Sequence, residues 1–262
     1  MLIINADDFG KIKAATERIV LCHKSGRITS ATAMMFMADS DRSARLAKDN
    51  GIETGLHLNL TDQFTGNHEP HLARCQQRVS QHLRNSRFAP LLFNPLLRNE
   101  FEYTCRSQWE RFEKIYGRPP SHLDGHHHMH ICANVLFSRF IPARFRVRRN
   151  FHFTSGEKGM LNRLVRRIVD RYIEWRFVST DYFFSIKPFE NRSRIRGISE
   201  LARRSNVELM VHPDEDEEFI FLMSNEFRDL IADVETGGYS ALTQDGKRST
   251  IPEEPSWTIE RR

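Results

Sequence analysis

Five histidines and one aspartate fall within ten residues, SHLDGHHHMH, from Ser121 to His130. Imidazole and carboxylate are the side chains that hold divalent cations and move protons near neutral pH. Neighbouring residues of an extended chain point to opposite faces, so at most two or three of His126, His127, His128 and His130 can face one ion. The other polar residues that interrupt apolar runs are Asp7 and Asp8 in NADDFG, His57 in GLHLNLT, Asp124, and His212 in VELMVHP. Taken singly, each has a plain structural explanation: a helix-capping turn, a hydrogen-bonded histidine beside the core, a solvated loop, a strand end. Two adjacent carboxylates, however, repel unless a cation or proton lies between them. Two imidazoles and a carboxylate leave coordination positions open for water and substrate, which suits one catalytic divalent ion.

Placing these residues together requires a particular set of elements. Short apolar runs that read as strands cover 2–5, 29–36, 53–60, 122–125, 145–149, 182–186 and 207–212, with a weak eighth at 239–242. Helical patterns cover 14–24, 40–49, 103–116, 131–140, 158–177, 193–204 and 224–236. This alternation predicts an α/β fold with right-handed crossovers, seven or eight mainly parallel strands, and a (β/α) barrel, regular or distorted. An open doubly wound sheet is the alternative, but no glycine-rich phosphate loop follows the first strand. In such folds the carboxyl ends of the strands share one face, where ligands bind. The strand-end residues above would meet there.

The chain has 262 residues, 39% hydrophobic and 28% charged, as expected for a globular protein. We expect one domain over 1–262, with an irregular excursion at 61–100 that carries Pro70, Pro90 and Pro95, and a loosely patterned tail at 244–262. No apolar run approaches the ~18 residues of a membrane span. The start lacks the basic and apolar regions of a secretory signal, and Cys22, Cys75, Cys105 and Cys132 form no CxxC pair. Both points suggest a cytoplasmic protein with reduced thiols. The net charge of +5 comes with arginine clusters at 144–149 and 163–176. We read these as solvated faces in preference to a nucleic-acid surface.

NADDFG, GLHLNLT, HLDGHHHMH and VHP, in this order, resemble the motifs of the YdjC-like carbohydrate deacetylases (the ChbG/HpnK family), and they bracket residues 4–213. The resemblance implies a barrel-like fold, one divalent metal ion such as Mg²⁺ or Zn²⁺, and removal of acetyl groups from N-acetylated amino sugars. It implies Asp8, His57 and His126 as metal ligands, Asp7 as catalytic base and His212 as catalytic acid. Asp124, His128 and His130 would support these from behind. The substrate would be an acetylated amino sugar or glycan, with anionic and lipid-linked forms included. Oligomeric state is open, a homodimer included. This chain departs from many relatives after VHP, where DEDEEF replaces a glycine and alters the rim beside His212. Phe9, Phe64 and Trp109 are candidates for stacking on a sugar ring. Competing functions are metal-dependent cleavage of another bond, such as a phosphodiester, and a non-catalytic metal-binding module.

Overall fold

A computed structural model describes residues 1–152 and 160–242. The tail expected at 244–262 and the start of the helix expected at 158–177 lie outside the described residues. Six parallel strands form one sheet: β1 (Leu2–Phe9), β2 (Ser30–Ala33), β3 (Thr54–Leu58), β4 (Leu123–Gly125), β5 (Tyr182–Ser185) and β6 (Val207–Val211). Their spatial order is β4-β3-β2-β1-β6-β5, so the chain begins in the middle and winds outward in both directions.

The helices α1 (Lys13–Lys24), α2 (Ser40–Asn50), α3 (Pro70–Asn85), α4 (Arg98–Tyr116), α5 (Ala133–Leu136), α6 (Met160–Arg176), α7 (Arg192–Ala202), α8 (Asp216–Met223) and α9 (Asn225–Ile231) complete the described secondary structure, apart from four 3₁₀ turns. Strand side chains alternate strictly. Leu56, Leu58, Leu209 and Val211 belong to the main apolar core, as do Ile19, Val79, Phe101, Phe112 and Ile198 of the helices. Asn5, Asp7, Thr32, His57, Asp124 and Glu208 hold the opposite parity and are all buried. The sheet therefore has an oily outer face under helices and a polar inner face. Buried parallel strands are usually apolar on both faces.

Among the described residues six strands are present, not the seven or eight expected. The segment expected as a strand at 145–149 forms only isolated parallel bridges, Val147 to Leu123 and Arg146 to Val178. His152 N–H then donates to Phe183 O at 2.9 Å. The segment spans the gap between β4 and β5 as an irregular stave. Arg144 enters it with φ 64°, a left-handed residue that breaks the extended backbone just before the segment. The weak strand expected at 239–242 is instead a 3₁₀ turn, Tyr239–Ala241, which packs against the amino end of the sheet through Ile3.

The excursion at 61–100 is more ordered than its prolines suggest. Pro70 starts α3, at the end of a helix where a missing N–H costs nothing. The acidic run after His212 passes from a turn at Asp214 and Glu215 into a helix. Asp216, Glu217 and Glu218 form the first turn of α8, where negative charge suits the helix dipole.

Candidate active site

Two adjacent aspartates in a regular strand would face opposite sides. Here the register of β1 against β2 slips between Ala6 and Phe9, and Asp8 adopts φ 65°. Aspartate tolerates this left-handed conformation better than most residues. Both carboxylates therefore serve the same end of the sheet, at different depths.

Asp7 points into the interior. Arg148 donates through Nη1 and Nη2 to its two oxygens, 2.7 Å each. Asn5 Nδ2 donates to Asp7 at 3.0 Å. Burial alone would raise the pKa of Asp7, but Arg148, with smaller help from His57 and His212, outweighs it and holds the group well below the usual carboxylate range. Asp7 is ionised at neutral pH.

Asp8 faces the mouth. Its Oδ1 lies 3.2 Å from His57 Nε2 and 3.0 Å from His126 Nδ1, and its Oδ2 lies 3.0 Å from Lys11 Nζ. These are ion-pair distances, yet Oδ1 is buried and no hydrogen bond reaches it with acceptable geometry. Three ligand atoms converge on one point without satisfying one another, and Asp8, His57 and His126 form a group able to hold a metal ion.

Each imidazole is backed by an acid. His57 Nδ1 lies 2.8 Å from Asp124 Oδ1, and His126 Nε2 lies 2.9 Å from Asp62 Oδ2. A carboxylate behind a ring fixes its tautomer and leaves the other nitrogen's lone pair for a cation. Burial lowers the basicity of His57, but the charges of Asp124 and Asp7, the hydrogen bond to Asp124 and the proximity of Asp8 raise its pKa to about 10. That surplus of negative charge also favours a divalent cation. The donor set, one carboxylate oxygen and two imidazole nitrogens with positions left over, fits such an ion.

The histidine run is divided by its backbone. His127 and His128 have φ 52° and 59°, a costly pair of left-handed residues, and such strain clusters at functional sites. His126 turns to Asp8, and His127 Nδ1 meets Thr61 Oγ1 at 3.0 Å. His128 packs edge-on against Phe151 and Phe183, and burial lowers its pKa to about 3. His130 is fully buried, kept neutral by burial, and its Nε2 reaches Arg148 O at 3.1 Å. His130 thus supports Arg148, and His128 joins an aromatic wall. His212 follows β6 on the same end of the sheet, one-quarter exposed, with its N–H donating to Glu218 Oε2 at 2.6 Å. It groups with Glu215 and Glu218, not with the Asp8 triad.

Arg148, Glu208, Asp62 and Lys11 were not among the residues singled out in the sequence. Arg148 is fully buried, and besides Asp7 it contacts Asp124 Oδ2 at 2.8 Å and Glu208 Oε1 at 2.7 Å. Tyr239 donates its hydroxyl to Glu208 and stacks on His122, with ring centroids 3.7 Å apart. A Cβ on Gly55 would stand 2.6 Å from that His122 ring, so the strand beside it needs glycine. Of the aromatic candidates, Phe9 is in the core and Trp109 packs on Phe140 and Phe145. Phe64 lines a cavity of about 430 Å³ with Thr61, Gln63, His68, Gln76 and Arg84.

The sequence model of the YdjC-like proteins matches residues 1–236. The chain belongs to this YdjC-like family. Chitooligosaccharide deacetylases of Yersinia pestis (strain Pestoides F) and Yersinia pseudotuberculosis (strain YPIII) are each 33% identical to it over 136 residues. That match covers 52% of this chain and 52% of each relative, so the chain spans about half the length of the curated relatives it matches. A solved structure from Enterococcus faecalis V583, described as a candidate cellobiose-phosphate cleavage protein, shares the fold with a TM-score of 0.65. The identity is 20%, over 91% of this chain and 97% of that one. Among the described residues, no helix of this YdjC-like protein is long and apolar enough to cross a membrane.

Proposed function

We propose that this YdjC-like protein is a metal-dependent deacetylase of N-acetylated amino sugars. The observation that carries the proposal is the convergence of Asp8 Oδ1, His57 Nε2 and His126 Nδ1 beside an ionised Asp7. The similarity to chitooligosaccharide deacetylases supports the substrate class. When bound by Asp8, His57 and His126, a divalent ion such as Zn²⁺ or Mg²⁺ would polarise the acetyl oxygen and acidify water.

The chain's own groups supply the remainder. Asp7, fixed by Arg148 and Asn5, is the base that takes a proton from the attacking water. Its low proton affinity keeps it in the basic form at neutral pH. His212, held by Glu218 at the end of β6, protonates the amine as the C–N bond breaks. The products are acetate and a free amino sugar. The amide side chains and the Phe64 ring in the cavity beside Thr61 suit sugar hydroxyls and a C–H face.

Asp7→Asn tests the assignment. The variant should stay folded and retain bound metal, with a melting temperature lowered by roughly 10 °C because Asp7 belongs to the buried Arg148 network. Acetate release from N,N′-diacetylchitobiose should fall ~10²–10⁴-fold, the usual contribution of a positioned acid or base. Unchanged acetate release would remove Asp7 from the chemistry.

A further inference from the structure

Large apolar side chains left in water are ordinary when scattered and informative when contiguous. The segment between α3 and α4 presents Leu92 and Leu96, 65% and 84% exposed. The residue after α5, Phe137, is 59% exposed, and α6 presents Ile168 and Trp175 at 63% and 74%. Ring contacts join these elements into one patch. Phe93 lies 6.4 Å from Phe137, Phe137 5.4 Å from Tyr172, and Tyr172 5.9 Å from Trp175, centroid to centroid. Ile168, Tyr172 and Trp175 stand at i, i+4 and i+7, a single stripe of α6. Ile173 and Phe177, on the opposite side of the same helix, are buried in the core. α6 is thus apolar on two faces, and the described residues cover only one of them.

The patch is held in place. Asn94 N–H donates to Asn134 Oδ1, and Asn134 Nδ2 donates to Asn94 O, 2.9 Å each, which fastens the segment to α5. Tyr172 donates its hydroxyl to Leu136 O at 3.0 Å, and Arg176 Nη1 donates to the same oxygen at 2.8 Å, which fastens α6 there as well. A fixed surface of this kind loses little conformational entropy when it is covered.

The rim is basic. Arg98 follows Leu96, Arg139 follows Phe137, and Arg171 flanks the α6 stripe, all three exposed. Among the described residues no carboxylate forms an ion pair with any of them. Glu100, the acid nearest to Arg98 in the chain, is taken by Arg78. Charge then decides between the two coverings that suit an oily centre. In a two-fold contact the same patch meets itself, so the arginine rims of two copies would be driven together. An anionic lipid surface matches both parts, with headgroups for the arginines and the acyl boundary for the apolar side chains. Trp and Tyr at such an edge are the residues that favour the bilayer interface.

We propose that the side of the protein formed by Leu92, Leu96, Phe137, Ile168 and Trp175 docks reversibly on an anionic lipid bilayer. None of these residues belongs to the Asp8 site, so the proposal stands apart from the deacetylase reading.

The test is sedimentation of the full chain with vesicles of phosphatidylcholine alone and of phosphatidylcholine with an equal part of phosphatidylglycerol. Each arginine near an anionic surface strengthens binding about fivefold, so engagement of only two gives the mixed vesicles an advantage of at least about tenfold. Arg98→Gln with Arg139→Gln should remove that advantage. Leu96→Ser with Trp175→Ser should weaken binding to the mixed vesicles at least about tenfold. All four positions are exposed, and an unchanged melting temperature in each double variant shows that the fold is intact. No binding to the mixed vesicles, or equal binding to both kinds, overturns the proposal. So does binding that Leu96→Ser with Trp175→Ser leaves undiminished. If that double variant instead splits a dimer on size-exclusion chromatography while the parent ignores both vesicles, the patch is a subunit contact and the proposal fails.

Discussion

The floor and the mouth of the barrel interior both gather acids and bases, and they settle the charges in opposite ways. On the floor, Arg148 meets Asp7, Asp124 and Glu208, all buried, through short charge-assisted hydrogen bonds. Every group there has an opposite within reach, so the network closes on itself. At the mouth, Asp8, His57 and His126 aim at one another without closing, and Lys11 and Asp62 lead out to solvent. A closed network fixes geometry, whereas an open one leaves lone pairs for a ligand. Asp7 and Asp8, neighbours in sequence, are divided between the two by one left-handed residue.

The comparison breaks hardest at Arg148. Arg148→Gln strands three carboxylates in the interior. Removing one member of a buried ionic network typically costs about 3–5 kcal/mol, and we expect a loss of that size in denaturant titration. A loss under about 1 kcal/mol would mean that water reaches the floor.

The second test is the pH response of Glu208. Burial raises its pKa to about 7 against the lowering effects of Arg148 and Tyr239. A raised folded-state pKa means the folded protein binds more protons between the unfolded value and about pH 7. Glu208 therefore adds stability that is full below about pH 4.5 and is lost as pH climbs to about 7. The change attributable to it is on the order of 3 kcal/mol. Glu208→Gln should flatten that part of the stability–pH curve, and a curve identical to the parent's would place the titration elsewhere.

The smallest effect on stability belongs to the mouth. His126→Ala, measured without added metal, should shift stability by less than about 1 kcal/mol, since its partner Asp62 is partly solvated. The same variant should lose divalent-cation binding by calorimetry, along with the acetate release that chelation also removes. Undiminished cation affinity would show that His126 is not a ligand.

The mouth was far more legible in the sequence than the floor. Asp7, Asp8, His57, Asp124 and His126 are polar residues at the ends of apolar runs, and the parallel topology brings strand ends together. Arg148 sits with Arg144, Arg146 and Arg149 in one short stretch, a context that reads as solvated surface. Its partners Asp7 and Glu208 are 141 and 60 residues away, beyond any local pattern. Glu208 did leave a trace: in VELMV it takes the parity opposite to Val207, Leu209 and Val211, which is how a buried acid in a strand announces an inward face. Asp62 follows β3 in a loop with no periodicity to mark it. The alternation of 145–149 reads as a strand, whereas the segment makes only isolated bridges after the left-handed Arg144, a backbone feature that alternation does not reveal.

The buried guanidinium also bears on how the polypeptide comes to be made. Asp7, Asp124, Arg148 and Glu208 leave the ribosome at widely separated times, and no amino-terminal fragment ending before residue 208 contains all four. We expect nascent intermediates to keep the future lumen hydrated, and the final desolvation to wait for the sixth strand, so that truncated products are degraded instead of accumulating as a stable half-barrel.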